Sequence, residues 1–313
     1  MKLAREFAPV DVAIVDCFNV AYRAFSVTPD LTNYDGVPTN AIQGLLGCVR
    51  RMIRETKPKS VVVVTESRSS FRKEIHPEYK AGRSLDLNFI AQVPNIHRLC
   101  QLMGWHLLER EGFEADDLAS AVCRRVTEKG LKAAVNTSDK DIIARCTERI
   151  AIYRTKKENA FAIQPADLVE KWDVAPAQIP EVLCLVGDSC DNIPGVPTIG
   201  KKTAAKLIKE FGSVAGLYQN LEKLSEKHRK LLIDNCVQVQ LAQRLIELHD
   251  ELDISEDIFE PGKENTNELH DFFISLRMFR AADSLKRELV IPFLHAPLPQ
   301  PPKEPDQLLF AVA

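Results

Sequence analysis

Eight carboxylates stand along the chain in small groups that could hold divalent cations. They are Asp16, after the apolar run VDVAIV; Glu114, Asp116 and Asp117 in EGFEADDLAS; Asp139 and Asp141 in TSDKDI; and Asp188 and Asp191 in GDSCDN. Carboxylates in a first helical turn complement the helix dipole by themselves, so the triplet at 114–117 carries no chemistry until it is set beside the others. Brought to one place, the eight would repel one another strongly unless cations neutralised them. All-oxygen ligation, with no histidine or cysteine at zinc spacing, selects two Mg2+ ions, with Mn2+ able to substitute. Two such ions side by side hydrolyse phosphodiesters, one activating water and the other stabilising the leaving oxygen.

A basic counterpart lies between residues 50 and 83, where ten Lys or Arg face four acids. A charge run is usually a solvated face. This one includes SRSSFRKEIHPEYKAGR, which lacks strong amphipathic periodicity and leaves a strand end beside the proposed metals. Its Lys and Arg could hold a scissile phosphate, with Phe71 and Tyr79 available to stack on bases.

The elements that must position these groups are legible as texture. The runs at 10–15, 60–65, 132–137 and 149–153 are short, apolar and rich in Val and Ile, and helical patterns at 41–56 and 115–130 lie between them. That alternation predicts a parallel α/β sheet with flanking helices, in which ligands sit beyond the carboxyl ends of the strands. Asp16, Thr65-Glu66 and the pair Asp139 and Asp141 all fall at such ends. From about residue 165 the pattern is helical, and after Ile291 it is proline-rich. The expected division is an α/β domain over 1–170, a helical domain over 171–290 and a tail over 291–313.

The stretch GVPTIGKKT at 195–203 nearly matches a nucleotide P-loop, but Lys202 stands where the magnesium-binding hydroxyl belongs. It follows a carboxylate-bearing loop and lies between helices, whereas a P-loop follows a strand. Gly195 and Gly200 therefore suit a helix-turn-helix hairpin. Its backbone amides, with Lys201, Lys202, Thr203 and Lys206, would grip duplex phosphates.

The chain has 313 residues, 45% of them hydrophobic, and a formal net charge of −3, so nucleic-acid binding must come from local patches. Eight scattered cysteines without a C-x-x-C pair suit reduced thiols in the cytoplasm. No run approaches about 18 apolar residues, so no membrane span is expected.

Taken together, VDCFNVAYRAF, FRKEIHPEYKAGR, EGFEADD, TSDKDI and LVGDSCDNIPGVPTIGKKTAAKLI resemble the 5′ nuclease family. That family comprises the nuclease domain of bacterial DNA polymerase I, stand-alone 5′-3′ exonucleases and flap endonucleases. The resemblance runs from roughly residue 10 to 290. It implies a PIN-like or resolvase-like sheet with a helical arch at about 68–100, plus a helical domain bearing a helix-three-turn-helix DNA-binding motif. It further implies Asp16, Glu114, Asp116, Asp139 and Asp141 around a first metal, and Asp117, Asp188 and Asp191 around a second. Lys80 and Arg83 would steady the scissile phosphate, while Tyr22, Arg23, Arg72 and the hairpin would bind DNA, with K+ at the hairpin carbonyls. The implied partner is branched or 5′-ended duplex DNA, met in the cytoplasm and nucleoid; the sequence leaves the oligomeric state unmarked, and a monomer is the expectation. QLLF at the end of the chain, Gln307, Leu308, Leu309 and Phe310, resembles peptides that dock into sliding clamps.

One position departs from the family. Thr65 stands where it has a metal-binding aspartate, and adjacent residues at a strand end point to opposite sides. Whether Glu66 reaches the site instead is open at this level. A DNA-binding protein with catalysis weakened through Thr65 is the alternative, and a PIN-type ribonuclease, which would not need the hairpin, is a second.

Overall fold

A computed structural model describes residues 8–28, 31–33, 35–156 and 159–285. Six strands form one sheet in the order β3-β2-β1-β4-β5-β6. They are β1 Val12–Asp16, β2 Ser60–Val64, β3 His106–Leu108, β4 Ala133–Asn136, β5 Ile150–Lys156 and β6 Asn159–Ile163. The first five are parallel, as expected, but β6 returns antiparallel to β5. Neither β3 nor β6 was anticipated: β3 is only three residues long, and β6, NAFAI, lacks the Val- and Ile-rich run that marks the others. β1 and β2 are buried along their whole length, so side chains on both faces are apolar and β-branched.

Helices connect and cover the strands. The first seven are α1 Cys17–Val27, α2 Asn40–Thr56, α3 Phe71–Ile75, α4 Leu87–Ile90, α5 Val93–Leu102, α6 Ala115–Glu128 and α7 Lys140–Ile143. After the sheet come α8 Pro165–Trp172, α9 Ile179–Val186, α10 Lys201–Phe211, α11 Val214–Gln219, α12 Glu226–Asp234, α13 Cys236–Ile246 and α14 Thr266–Ser275. The stretch over 68–100, where an arch was expected, holds α3, α4 and most of α5, all between β2 and β3. α6 starts with a capping box in which Glu114 and Asp117 exchange backbone bonds.

Packing separates Met1–Asn265 from Thr266–Ala313. Within the first unit one apolar cluster runs from Ile14 and Val135 in the sheet through Leu118 and Val122 of α6 to Leu183, Ile208 and Leu245 of the later helices. The change of texture near residue 170 is thus not a break in the core. The second unit holds α14, with Leu269 and Phe273 buried, and a further helical stretch over 279–285. Gln307, Leu308, Leu309 and Phe310 lie outside the described residues, as does the rest of the proline-rich tail. All eight cysteines are free.

Candidate metal centre and nucleic-acid cleft

The strand order reverses at β1 and β4, and the carboxylates gather outside the carboxyl ends of these two strands. Asp16 ends β1 and caps α1 by accepting from the Asn19 amide at 3.2 Å; its other oxygen accepts from Thr137 Oγ1 at 2.9 Å. Asp139 caps α7 by accepting from the Asp141 amide at 2.9 Å. Carboxylate oxygens of Asp116, Asp139 and Asp141 lie within 4.8 Å of one another. Three hard oxygen donors at that spacing fit a divalent cation such as Mg2+ or Mn2+.

Electrostatics agree with the geometry. Burial, and then the Asp139 charge, push Asp16 up to about 7 and Asp141 up to about 8, and raise Asp116 well above the carboxylate range. A carboxyl raised on folding contributes stability that is present below its ordinary pKa and is lost as pH rises through the folded value. The metal-free protein is therefore expected to lose stability as pH rises from about 4 to about 8. Divalent cations should raise the melting temperature more at the alkaline end than at the acid end. Equal rises at both ends would contradict this.

Glu114 is buried but belongs to a different set of contacts. Ser70 Oγ donates to one of its oxygens at 2.8 Å, while Tyr79 Oη at 3.1 Å and Lys80 Nζ at 2.7 Å donate to the other. Burial would raise this carboxyl, yet Lys80 and Arg72 hold it below its ordinary range. Lys80, with a left-handed backbone at φ 53°, also donates its amide to the Asp191 carbonyl at 3.0 Å. Arg83 pairs with the Asp191 carboxylate and Lys140 with that of Asp188. Two of the three carboxylates assigned to a second metal, Asp188 and Asp191, therefore each have a protein cation beside them.

Two expected site residues are elsewhere. Arg72, read as a DNA contact, is 2% exposed. Its guanidinium donates to both oxygens of Asp117 at 2.7 and 2.8 Å and to the carbonyls of Leu245 and Glu247, both at 2.8 Å. Asp117, read as a second-metal ligand, is fully buried and also accepts from the amides of Glu114 and His249. With its oxygens filled, it is a clamp holding α3, α6 and the end of α13 together. Tyr79 is likewise buried and Phe71 packs on Phe113 and His249, so neither is presented for stacking. Nothing in local spacing distinguishes these residues from exposed ones.

An open cleft of about 1200 Å³ runs beside the cluster. Asp16, Glu66, Lys80, Arg83, Glu114, Asp116 and Asp139 line it, as do Tyr22 and Arg23 of α1. Thr65 is fully buried and does not line it. Glu66 does, and burial together with Glu114 and Asp139 raises its carboxyl against the pull of Lys80 and Arg83. Tyr22 stacks on Phe25 with ring centroids 5.7 Å apart and meets Phe89 edge-on.

The hairpin occupies the turn between α9 and α10. Gly187 has φ 75°, and a Cβ on Gly195 would meet the Val186 carbonyl oxygen at 2.0 Å, so these glycines allow two backbone strands to touch. Gly200 caps α10 with open space around it. Lys202 and Lys206 are exposed one turn apart, with Thr203 half-buried between them. Lys201 instead lies 3.6 Å from the centre of the Trp172 ring.

A family model described as the 5′-3′ exonuclease N-terminal resolvase-like domain matches residues 11–173, and one for its C-terminal SAM fold matches 174–267. The chain is 31% identical over 269 residues to a 5′-3′ exonuclease of Aquifex aeolicus, covering 85% of this chain and 91% of that one. It is 35% identical over 247 residues to a thermostable DNA polymerase I of Thermus thermophilus. That match covers 79% of this chain but 29% of the polymerase. Its fold is similar to that of the bacteriophage T5 D15 flap endonuclease, with a TM-score of 0.64, 20% identity and 90% and 98% of the two chains covered. No described helix is long and apolar enough to cross a membrane. By the match of both domain models and the extent of the exonuclease likeness, this chain belongs to the 5′-3′ exonuclease family.

Proposed function

We propose that the chain hydrolyses DNA phosphodiesters at single-strand/double-strand junctions, as a 5′-3′ exonuclease and a 5′ flap endonuclease in replication and repair. The observation that carries the reading is the Asp116, Asp139 and Asp141 cluster, of which Asp116 and Asp139 line a cleft whose other groups include Lys80 and Arg83. When bound there, Mg2+ or Mn2+ would supply Lewis acidity and an acidified water. The T5 enzyme was solved with DNA and metal ions, which supports that class of substrate and cofactor.

The chain's own groups do the rest. Lys80 is fixed beside Glu114 and Arg83 beside Asp191, and from there they would meet the scissile phosphate and offset the charge developing on its oxygens. Tyr22, backed by Phe25 and Phe89, offers a wall for the terminal base. Lys202, Lys206 and the open Gly200 cap would take duplex phosphates, with K+ held by the hairpin carbonyls as part of the same reading. Asp188 and Asp191 would serve a second ion once Lys140 and Arg83 turn to phosphate.

Cleavage of a 5′-flap duplex labelled on the flap, with Mg2+, Mn2+ or EDTA, tests this reading. Junction-sized products that vanish in EDTA are expected; binding without cutting under every condition would instead favour the weakened-catalysis alternative. Against that alternative stands Glu66, which lines the cleft where Thr65 does not. Glu66→Gln is expected to lower cleavage and cation affinity by about 10- to 100-fold, and unchanged values for both would remove it from the ligand set. Deleting residues 305–313 is expected to abolish clamp binding in a pull-down while sparing cleavage of free DNA. Undiminished capture would refute that role for the tail.

A further inference from the structure

Arg154 lies at the same sheet edge as the carboxylates, on the side away from the arch. β4 and β5 are in register through Asn136 and Tyr153, so Arg154 stands one position further, level with Thr137 and the loop that carries Asp139. That loop is tied to α1, because the Ser138 amide and hydroxyl donate to Asn19 Oδ1 at 3.0 and 2.7 Å. Arg23 follows Asn19 by one helical turn on the same face. Arg23 lines the cleft, and Arg154 is half-buried and close enough to Arg23 to feel its charge.

Among the described residues neither guanidinium has a hydrogen-bond or ion-pair partner. By contrast, Arg72, Arg83, Arg124 and Arg145 each hold a carboxylate. Burial, then the Arg23 charge, depress Arg154 below its ordinary range, against the pull of Asp139. Two partly desolvated like charges that the Asp139 charge offsets only in part cost stability. A bound anion would relieve that cost, and a guanidinium pair suits the oxygens of a phosphate.

The geometry points to a second phosphate subsite, in which Arg154 and Arg23 grip a phosphodiester of the DNA substrate on the β5 side of the cut. This rests on the nuclease reading of the cleft. The strand order sets the carboxylates of β1 and β4 between the arch, which follows β2, and Arg154 on β5. A strand laid along this edge would meet positive, metal-binding and positive groups in turn.

The test is equilibrium binding of a 5′-flap duplex to the full chain over a range of salt, with Ca2+ in place of Mg2+. Arg154→Ala is expected to weaken binding about tenfold and to make the dependence of log K on log salt shallower by about one. Arg154→Lys should keep the slope. The melting temperature of the DNA-free Arg154→Ala protein should hold or rise, since a repulsion is relieved. If wild type binds and Arg154→Ala binds equally well with the same slope, the subsite is refuted and the nuclease reading stands. A lowered melting temperature with an unchanged slope would make Arg154 a structural residue and also refute it. Wild type that fails to bind the flap would overturn the nuclease reading, and the subsite with it.

Discussion

Asp139→Asn is expected to reduce flap cleavage by about 10³-fold while leaving binding of the flap duplex intact. Asp139 is the hub of the acidic centre. Its oxygen lies within 4.8 Å of those of Asp116 and Asp141, and its charge raises the carboxyls of Asp16, Asp116 and Asp141. An amide keeps the shape and the cap to the Asp141 amide but donates poorly to a hard cation. The same change removes the largest single source of repulsion among these groups, so the metal-free variant should melt at a higher temperature than wild type. Single-turnover cleavage and melting in EDTA read the two effects separately. Cleavage within tenfold of wild type would move the catalytic centre away from this cluster.

Arg72→Ala should act on stability first. The substitution strips Asp117 of two bonds at 2.7 and 2.8 Å and leaves its carboxylate buried. It also orphans the Leu245 and Glu247 carbonyls. Breaking a buried pair by removing one partner costs about 3–5 kcal/mol, a large part of a domain's stability. Equilibrium urea unfolding followed by circular dichroism measures it. A loss under about 1 kcal/mol would mean that Arg72 is solvated and free for DNA. Lys80→Ala is a useful contrast, because Lys80 faces the cleft and its loss should appear in cleavage.

Much of this was legible before any coordinates. Val- and Ile-rich runs must be buried on both faces, and that requirement specified β1, β2, β4 and β5 and the sheet edge where ligands gather. Motif order then specified the family, since the carboxylate groups and the hairpin recur in a fixed sequence that no single motif could establish. The short β3 and the antiparallel β6 were beyond that reading, because β3 has three residues and β6, NAFAI, lacks the continuous Val and Ile run that marked the others.

What the sequence by itself determined is the inventory: the acids, the cations and the strand ends that would carry them. Only the tertiary structure decided which acids share a centre. Asp116 and Asp117 are neighbours in the chain, yet one joins the cluster and the other is taken by Arg72, 45 residues away, which also donates to carbonyls 173 and 175 residues further on. Thr65 and Glu66 divide in the same way between core and cleft, and Lys201 leaves the row formed by Lys202 and Lys206 to lie on Trp172. Local spacing sets the direction of a side chain within its own element. Whether that direction ends in solvent, at a metal or in a buried ion pair depends on partners brought in by distant parts of the chain.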